Sequence, residues 1–351
     1  MNPTQPVLQV IDLYKYFSNR TDLMSSVHWR KPEVVKAVDG VSFSLEKGEI
    51  LALVGESGSG KTTTGMNVLG LQSPTNGTIL LNGYDTSEWA RGKGATLETR
   101  NSLFAEKTRR QRILALRRFA QMIFQDPYES LNPRQKVFDI MAEPLDIHQG
   151  SIPREEKEGI IHNSMELCGL QPAEHFWGRY PSELSGGQRQ RIAIASAVIL
   201  SPGLLVADEP VSMLDVSIRA EILNLLKNIR DKSQTSILYI THDLATASYF
   251  ADRVAVMYLG KIVEIGACES LFRTPRHPYT KALLSVIPVP TLRRRKEKII
   301  LSGETPNPIN IPSGCRLHPR CPAALEKCKL VEPVLQDIGL DHKVSCHLMD
   351  D

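Results

Sequence analysis

The feature that most constrains the fold is an apolar strand that runs into a glycine-rich loop. Residues 50–54, Ile-Leu-Ala-Leu-Val, are continuously apolar, which is typical of a strand buried on both faces. The next eight residues, Gly-Glu-Ser-Gly-Ser-Gly-Lys-Thr, match the pattern G-x-x-x-x-G-K-[ST], and a helix-compatible stretch follows them. Glycines allow the backbone N–H groups to point inward, and a helix N-terminus adds partial positive charge. The sequence therefore predicts a phosphate-binding loop.

Two side chains of this loop have defined chemical tasks. Lys61 is placed to bridge the β- and γ-phosphates of a nucleotide, and the Thr62 hydroxyl can be a ligand of Mg²⁺. The predicted phosphate-binding residues are Gly55, Ser57, Gly58, Ser59, Gly60, Lys61, Thr62 and Thr63.

Strands alternate with helices along much of the chain. This order predicts an α/β fold with a parallel sheet that is covered on both faces. Residues 7–13 and 34–54 are predicted to be strand-rich, with strands at 41–45 and 50–54, and further strands are predicted at 204–208 and 236–241. The predicted helices are about 61–70, 186–200 and 216–232. Residues 126–183 are polar and proline-containing, so we expect a separate, mostly helical insert there. Residues 18–33 and the basic run 84–112 are expected to be excursions from the core, and the function of 84–112 is not predicted.

Composition excludes several classes of protein. The chain has 351 residues, with 42 basic and 39 acidic side chains and a net charge of +3, so electrostatically driven nucleic-acid binding is not expected. No apolar run approaches the length of a membrane span, and residues 1–6 have no features of a secretory signal. We therefore expect a cytosolic protein, whose six cysteines are free thiols or metal ligands rather than disulfides.

A second apolar strand ends in two carboxylates, Asp208 and Glu209. Carboxylates at the end of a parallel strand can reach the crevice where a nucleotide binds. We expect Asp208 to hold Mg²⁺ through water. Glu209 lies one position further on, points in another direction, and is the predicted general base for the attacking water.

The string Leu184-Ser185-Gly186-Gly187-Gln188 completes an ordered series of motifs. Together with Gln125, Asp215, His242 and the motifs above, it resembles the ATP-binding-cassette ATPases over about residues 7–285. Ser185 and the two glycines open a helix, which makes a second anion site. The resemblance implies an ABC ATPase core with an N-terminal antiparallel β subdomain. It also implies that two cassettes pack head to tail, with ATP between one phosphate loop and the other chain's helix start.

The resemblance also implies roles for single residues. Gln125 would contact Mg²⁺ and the attacking water, and His242 would sense the γ-phosphate. Asp215 would touch the opposing cassette. An aromatic residue near the N-terminus would stack on adenine, and Phe17 is the first choice, with Tyr16 as the alternative.

The C-terminal region contains Cys315, Cys321, Cys328 and Cys346, whose spacing does not match common zinc ribbons. The string Gly-Cys-Arg-Leu-His-Pro-Arg-Cys-Pro at 314–322 resembles the C-terminal extension of the oligopeptide/dipeptide branch of cassette ATPases. That resemblance implies a [4Fe–4S] cluster on the four thiolates. Zinc and four unliganded thiols remain alternatives. Cys168 and Cys268 are interpreted as structural residues, and the basic run 293–296 is interpreted as a solvated linker.

The resemblance implies the ATP-hydrolysing subunit of a membrane importer, with oligopeptides or dipeptides as the default solute. The expected domains are an ATPase domain at 1–287, with its helical subdomain at about 126–183, and a small Cys-rich extension at 288–351. The implied partners are a second ATPase subunit, two transmembrane permease subunits and an extracytoplasmic solute-binding protein. The expected location is peripheral, on the cytoplasmic face of the membrane. Alternatives are import of oligosaccharides or other solutes, a soluble cassette ATPase without a transport role, and a redox-gated regulator.

Overall fold

A computed structural model of the chain describes residues 5–18, 33–87, 108–150, 152–287 and 298–350. Its larger sheet has eight strands in the order β11-β12-β10-β9-β3-β8-β7-β6. The parallel part joins β9, β3, β8, β7 and β6, which confirms the predicted α/β architecture. These strands are β3 (Ile50–Val54), β6 (Ala120–Ile123), β7 (Leu204–Asp208), β8 (Ser236–Thr241) and β9 (Arg253–Tyr258).

A smaller antiparallel sheet has four strands in the order β2-β1-β4-β5, which confirms the predicted β subdomain. Its strands are β1 (Leu8–Ser18), β2 (Val34–Leu45), β4 (Asn76–Leu81) and β5 (Tyr84–Asp85).

Strand β3 separates two apolar cores because its side chains alternate between the faces of the sheet. Ile50, Ala52 and Val54 pack into a core shared with the helical insert, whereas Leu51 and Leu53 pack into a core shared with the antiparallel sheet. All five residues are fully buried, as their continuous apolar sequence predicts. The loop at the end of β3 therefore starts from a rigid support.

The helices include α1 (Lys61–Val68) directly after the phosphate loop and α2 (Arg109–Phe119), which leads into β6. The region 126–183 contains α3 (Pro127–Ser130), α4 (Val137–Gln149), α5 (Arg154–Leu167) and α6 (Glu174–Trp177). The remaining helices of the ATPase core are α7 (Gly186–Val198), α8 (Val216–Ser233), α9 (Leu244–Phe250), α10 (Cys268–Arg273) and α11 (Pro278–Ser285).

The C-terminal extension continues the large sheet. Strand β12 (Lys343–Val344) pairs with β10 (Lys261–Ala267), and β11 (Gln336–Asp337) pairs with β12. The extension also contains α12 (Glu326–Leu330). The extension predicted at 288–351 is thus joined to the edge of the ATPase sheet by backbone hydrogen bonds, so the structure does not confirm a Cys-rich domain of its own. Three of the segments singled out in the sequence lie wholly or mostly outside the described residues. They are the predicted excursions at 18–33 and 84–112 and the basic run 293–296.

Candidate nucleotide-binding site

The phosphate loop requires glycine at a position of close backbone approach. Gly60 has φ of 103°, and a Cβ there would lie 2.1 Å from the carbonyl oxygen of Ala37. Gly58 also has a positive φ, 77°, but a Cβ there would meet nothing within 4 Å. The loop therefore packs closely against the Ala37 backbone at Gly60 and has open space next to Gly58. An anion-binding loop needs such open space beside its backbone N–H groups.

Lys61 lies inside this loop and is only 5% exposed. Its Nζ donates to the carbonyl oxygens of Gly55 at 2.8 Å and Glu56 at 2.9 Å. Burial lowers the pKa of Lys61, and the nearby carboxylates of Glu209, Asp208 and Glu56 only partly oppose that effect. An anion in the loop would favour the charged ammonium.

The hydroxyl of Ser59 provides a second indication of a ligand. Its Oγ is buried and, within the part of the chain that the structure describes, has no hydrogen-bond partner. A buried hydroxyl without a partner is unfavourable, so a phosphate oxygen is a chemically suitable partner for it.

Two of the three predicted magnesium contacts, Thr62 and Asp208, lie together. Thr62 Oγ1 donates to Asp208 Oδ1 at 3.1 Å, so β7 brings its terminal carboxylate to the first turn of α1. Burial raises the pKa of Asp208, and the charge of Glu209 acts in the same direction. Hydroxyl and carboxylate oxygens are the ligands that Mg²⁺ prefers, so the residues fit this ion.

Glu209 has an unusual backbone conformation that the sequence analysis did not predict. Its φ is +44°, and its N–H donates to the carbonyl oxygen of Ile240 at 2.8 Å. A non-glycine residue in the left-handed region costs free energy and often marks a functional site. Its Oε2 accepts a hydrogen bond from Gln125 Nε2 at 3.1 Å, and its Oε1 lies 2.8 Å from His242 Nδ1. Gln125 and His242 thus both contact the carboxylate of Glu209, and each of the three residues follows the end of a different strand.

These elements surround one cavity of about 800 Å³. It is lined by Phe17, Val35, Ala37, Glu56, Ser57, Gly58, Gly60, Lys61, Thr62, Thr63, Gln125, Glu209, His242, Leu283 and Pro308. Phe17 is 40% exposed on this wall, whereas the Tyr16 hydroxyl donates a hydrogen bond to Asp39. Sequence reasoning missed Leu283 and Pro308, since neither belongs to a recognisable motif.

The residues of the predicted second anion site, 185–188, are not among the described residues that line this cavity. Ser185 caps α7 in a reciprocal pair with Gln188: Gln188 N donates to Ser185 Oγ at 3.3 Å, and Ser185 N donates to Gln188 Oε1 at 3.0 Å. Asp215 is exposed at the start of α8. Gly186 and Gly187 lie in the first turn of α7, away from the loop cavity.

The structure does not confirm a metal centre at the four C-terminal cysteines. Burial raises the pKa of Cys315 to about 11, and the thiols of Cys328, Cys346 and Cys321 act in the same direction. Among the described residues, no group of three or more His, Cys, Asp or Glu side chains is arranged to hold a metal ion. A protonated thiol is a poor ligand, so any metal binding here must be coupled to proton loss.

The fold and the cavity together define an ATP-binding cassette. Residues 38–212 match the family described as "ABC transporter", and residues 263–328 match "Oligopeptide/dipeptide transporter, C-terminal region". The oligopeptide transport ATP-binding protein AppF of Bacillus subtilis is 44% identical over 346 residues, with 98% of each chain covered. The dipeptide transport ATP-binding protein DppF of Escherichia coli is 43% identical, with 99% of this chain and 95% of that protein covered. The chain belongs to the ABC transporter ATP-binding proteins of the oligopeptide/dipeptide type, and it is an ATPase coupled to transport.

Solved structures support the same fold. The protein cbiO1 of Clostridium perfringens, part of the ABC transporter complex cbiONQ, superimposes with a TM-score of 0.60 at 24% identity, covering 76% of this chain and 91% of that one. A dimeric cassette bound to ADP and Pi gives a TM-score of 0.59 at 23% identity, covering 74% and 98%. Within the described ranges, no helix has both the length and the apolar character needed to cross a membrane.

Proposed function

We propose that this chain hydrolyses ATP to drive peptide uptake through a membrane importer. The convergence of Gln125 and His242 on the carboxylate of Glu209, beside the phosphate loop, carries this proposal. Relatives named as oligopeptide and dipeptide transport proteins, similar over nearly the whole chain, support peptides as the solute. Oligosaccharide import is the alternative within the same branch.

The triphosphate would bind in the loop, with Lys61 near the β- and γ-phosphates and the Ser59 hydroxyl on a phosphate oxygen. Thr62 and Asp208 would hold Mg²⁺, directly and through water. When bound, Mg²⁺ neutralises charge on the β- and γ-phosphate oxygens. Phe17 would stack against adenine, because it stands exposed on the cavity wall while Tyr16 is engaged by Asp39.

Hydrolysis would begin at Glu209. Its carboxylate accepts a proton from a water molecule as the water oxygen attacks the γ-phosphorus, and the bond to the bridging oxygen breaks to leave ADP. Gln125 would orient this water. His242 holds the other carboxylate oxygen and would contact the γ-phosphate, so both residues keep the base aimed at the nucleotide.

The proposal also includes the assembly of two cassettes with the membrane subunits of the importer. Ser185, Gly186, Gly187 and Gln188 would contact the γ-phosphate held by a second cassette, and Asp215 would lie at that interface. The separation of this helix start from the loop cavity of its own chain supports a head-to-tail pair. Two permease subunits would dock on the helical insert at about 126–183. The pair would thus lie on the cytoplasmic face of the membrane, with a solute-binding protein on the other side.

Uptake by the reconstituted importer tests this function. We expect ATP-dependent accumulation of labelled di- or oligopeptide in proteoliposomes, with little accumulation of labelled oligosaccharide. Glu209→Gln should bind ATP but lose turnover and uptake, whereas the exposed control Glu269→Gln should retain both. Peptide uptake that is indifferent to ATP, or wild-type turnover by Glu209→Gln, would contradict the proposal.

A four-thiolate centre at Cys315, Cys321, Cys328 and Cys346 is a second proposal, with [4Fe–4S] ahead of zinc. The match of residues 263–328 to the C-terminal region of oligopeptide/dipeptide transporters and the hydrogen bond from Cys315 N to the carbonyl oxygen of Cys328 at 2.8 Å support it. Anaerobically purified protein should absorb broadly at about 400 nm and contain iron and sulfide. Cys315→Ser should lose the absorbance, the iron and the sulfide. Colourless protein with stoichiometric zinc would show that the four thiolates bind zinc and not an iron–sulfur cluster. Protein free of both metals would leave four unliganded thiols, and ATP turnover that follows the cluster's redox state would favour a redox-gated regulator.

A further inference from the structure

The phosphate loop is held from outside the ATPase motifs, at Glu56. Arg320, in the C-terminal extension, donates from Nη1 to Glu56 Oε2 at 3.0 Å and from Nη2 to Glu56 Oε1 at 3.4 Å. The two residues are 264 positions apart. A planar guanidinium that engages both oxygens of a carboxylate fixes its orientation as well as its charge.

Glu56 has further contacts, one from the extension and one from the ATPase core. Thr305, also in the extension, donates a hydrogen bond to Oε2, and Arg320 Nη1 donates to Thr305 Oγ1 at 3.1 Å. The backbone N–H of Glu56 donates to the hydroxyl of Tyr279 at 2.9 Å. Both the side chain and the main chain of this loop residue are thereby fixed.

The pair is shielded from water, unlike an ordinary surface ion pair. The side chain of Arg320 is 11% exposed and that of Glu56 is 28% exposed. Exposed ion pairs contribute little, but removal of one partner of a shielded pair leaves an uncompensated charge. Here that charge would be a carboxylate on the wall of the cavity that also contains Lys61.

The extension is itself anchored next to the loop. Arg316 is buried, donates to the carbonyl oxygen of Leu259 and forms an ion pair with Asp39 of β2. Gly260, the next residue, donates from its N–H to the carbonyl oxygen of Ser59 in the loop at 2.9 Å. Pro308 lines the nucleotide cavity, and its carbonyl oxygen accepts from Lys36 N at 3.3 Å. The extension is therefore part of the wall of the nucleotide site.

We propose that Arg320 is a positioning residue for ATP binding, which acts by neutralising and orienting Glu56 of the phosphate loop. This role rests on the proposed ATPase function. With Arg320 present, the triphosphate enters a loop whose one acidic side chain is already compensated. Without it, the Glu56 carboxylate faces the anionic phosphates and is free to compete for Lys61.

The role predicts a specific pattern of KM values for one single variant and one double variant. Arg320→Met should raise the KM for MgATP about tenfold and leave kcat within about twofold, because the groups around Glu209 are not touched. The double variant Glu56→Gln/Arg320→Met removes the uncompensated carboxylate as well and should restore the KM to within about threefold of wild type. The matched control is Arg273→Met, which removes an exposed arginine paired with Glu269.

The measurement is steady-state ATP hydrolysis by the assembled importer, with thermal unfolding of each purified full-length chain in parallel. A KM for Arg320→Met equal to that of the control would overturn the role while the ATPase function stands. A raised KM that Glu56→Gln does not restore would also overturn it, since that result indicates general loss of structure. A wild-type importer that hydrolyses no ATP would refute the proposed function itself, and this role with it.

Discussion

Acid should destabilise this protein through His277, a buried histidine whose imidazole no carboxylate pairs with among the described residues. It is 1% exposed and caps α11, where its Nδ1 accepts a hydrogen bond from Tyr279 N at 3.1 Å. Burial lowers its pKa from 6.5 to about 3, and Lys281 acts in the same direction. Protonation would turn the capping acceptor into a donor and place a charge in the core. His277→Asn keeps an acceptor at the cap and removes the titration.

The size of the effect follows from the two pKa values. Between pH 6.5 and pH 3 the unfolded chain binds a proton at this position and the folded chain does not, so stability falls as the pH falls through that window. At pH 5 the pH lies about 1.5 units below the pKa of this histidine in the unfolded chain, and each unit corresponds to about 1.4 kcal/mol. The free energy of unfolding should therefore be about 2 kcal/mol lower at pH 5 than at pH 8 through this group.

Urea unfolding of the wild type and His277→Asn at pH 8 and pH 5 measures this quantity. The two proteins share every other ionisable group, so the difference between their free energies of unfolding isolates His277. The variant should be less stable at pH 8, and that deficit should shrink by about 2 kcal/mol at pH 5. A difference that stays constant across this range would refute the assignment of a buried neutral imidazole.

The remaining predictions concern the nucleotide loop. Gly60→Ala should abolish ATP binding because its Cβ would meet the Ala37 carbonyl, whereas Gly58→Ala should cost only about 1–2 kcal/mol of backbone strain and keep measurable binding; titration with labelled ATP compares them. Thr62→Ala should raise the Mg²⁺ concentration needed for turnover, and Thr62→Ser should not, as a magnesium titration of ATPase activity would show. Lys61→Met should bind ATP at least about a hundredfold more weakly in the same titration, because the loop loses its buried ammonium.

Local sequence patterns predicted the parts of the site that depend on neighbouring residues. The apolar run of β3 and the glycine pattern after it are such a case, because burial on both faces and a tight loop each require particular residue types in sequence. The carboxylates at the end of β7 are another, since parallel strands bring their carboxyl ends to one edge of the sheet.

Contacts between distant parts of the chain could not be predicted in this way. Glu209 has a left-handed backbone and donates a hydrogen bond to the carbonyl oxygen of Ile240, and no residue pattern specifies either feature. The pairing of Arg320 with Glu56 and the docking of β12 on β10 depend on the tertiary fold. Sequence patterns therefore did not identify Leu283 and Pro308, which line the nucleotide cavity.

The most direct test of the account is the position of ATP in the assembled importer. Cryo-electron microscopy of the Glu209→Gln importer with MgATP would locate the triphosphate relative to both cassettes. We predict that the ATP held by Lys61 contacts the helix start of the second cassette, and that Ser185 of this chain contacts the second cassette's ATP. A map in which one chain alone encloses its ATP, with Ser185 exposed to solvent, would contradict the account.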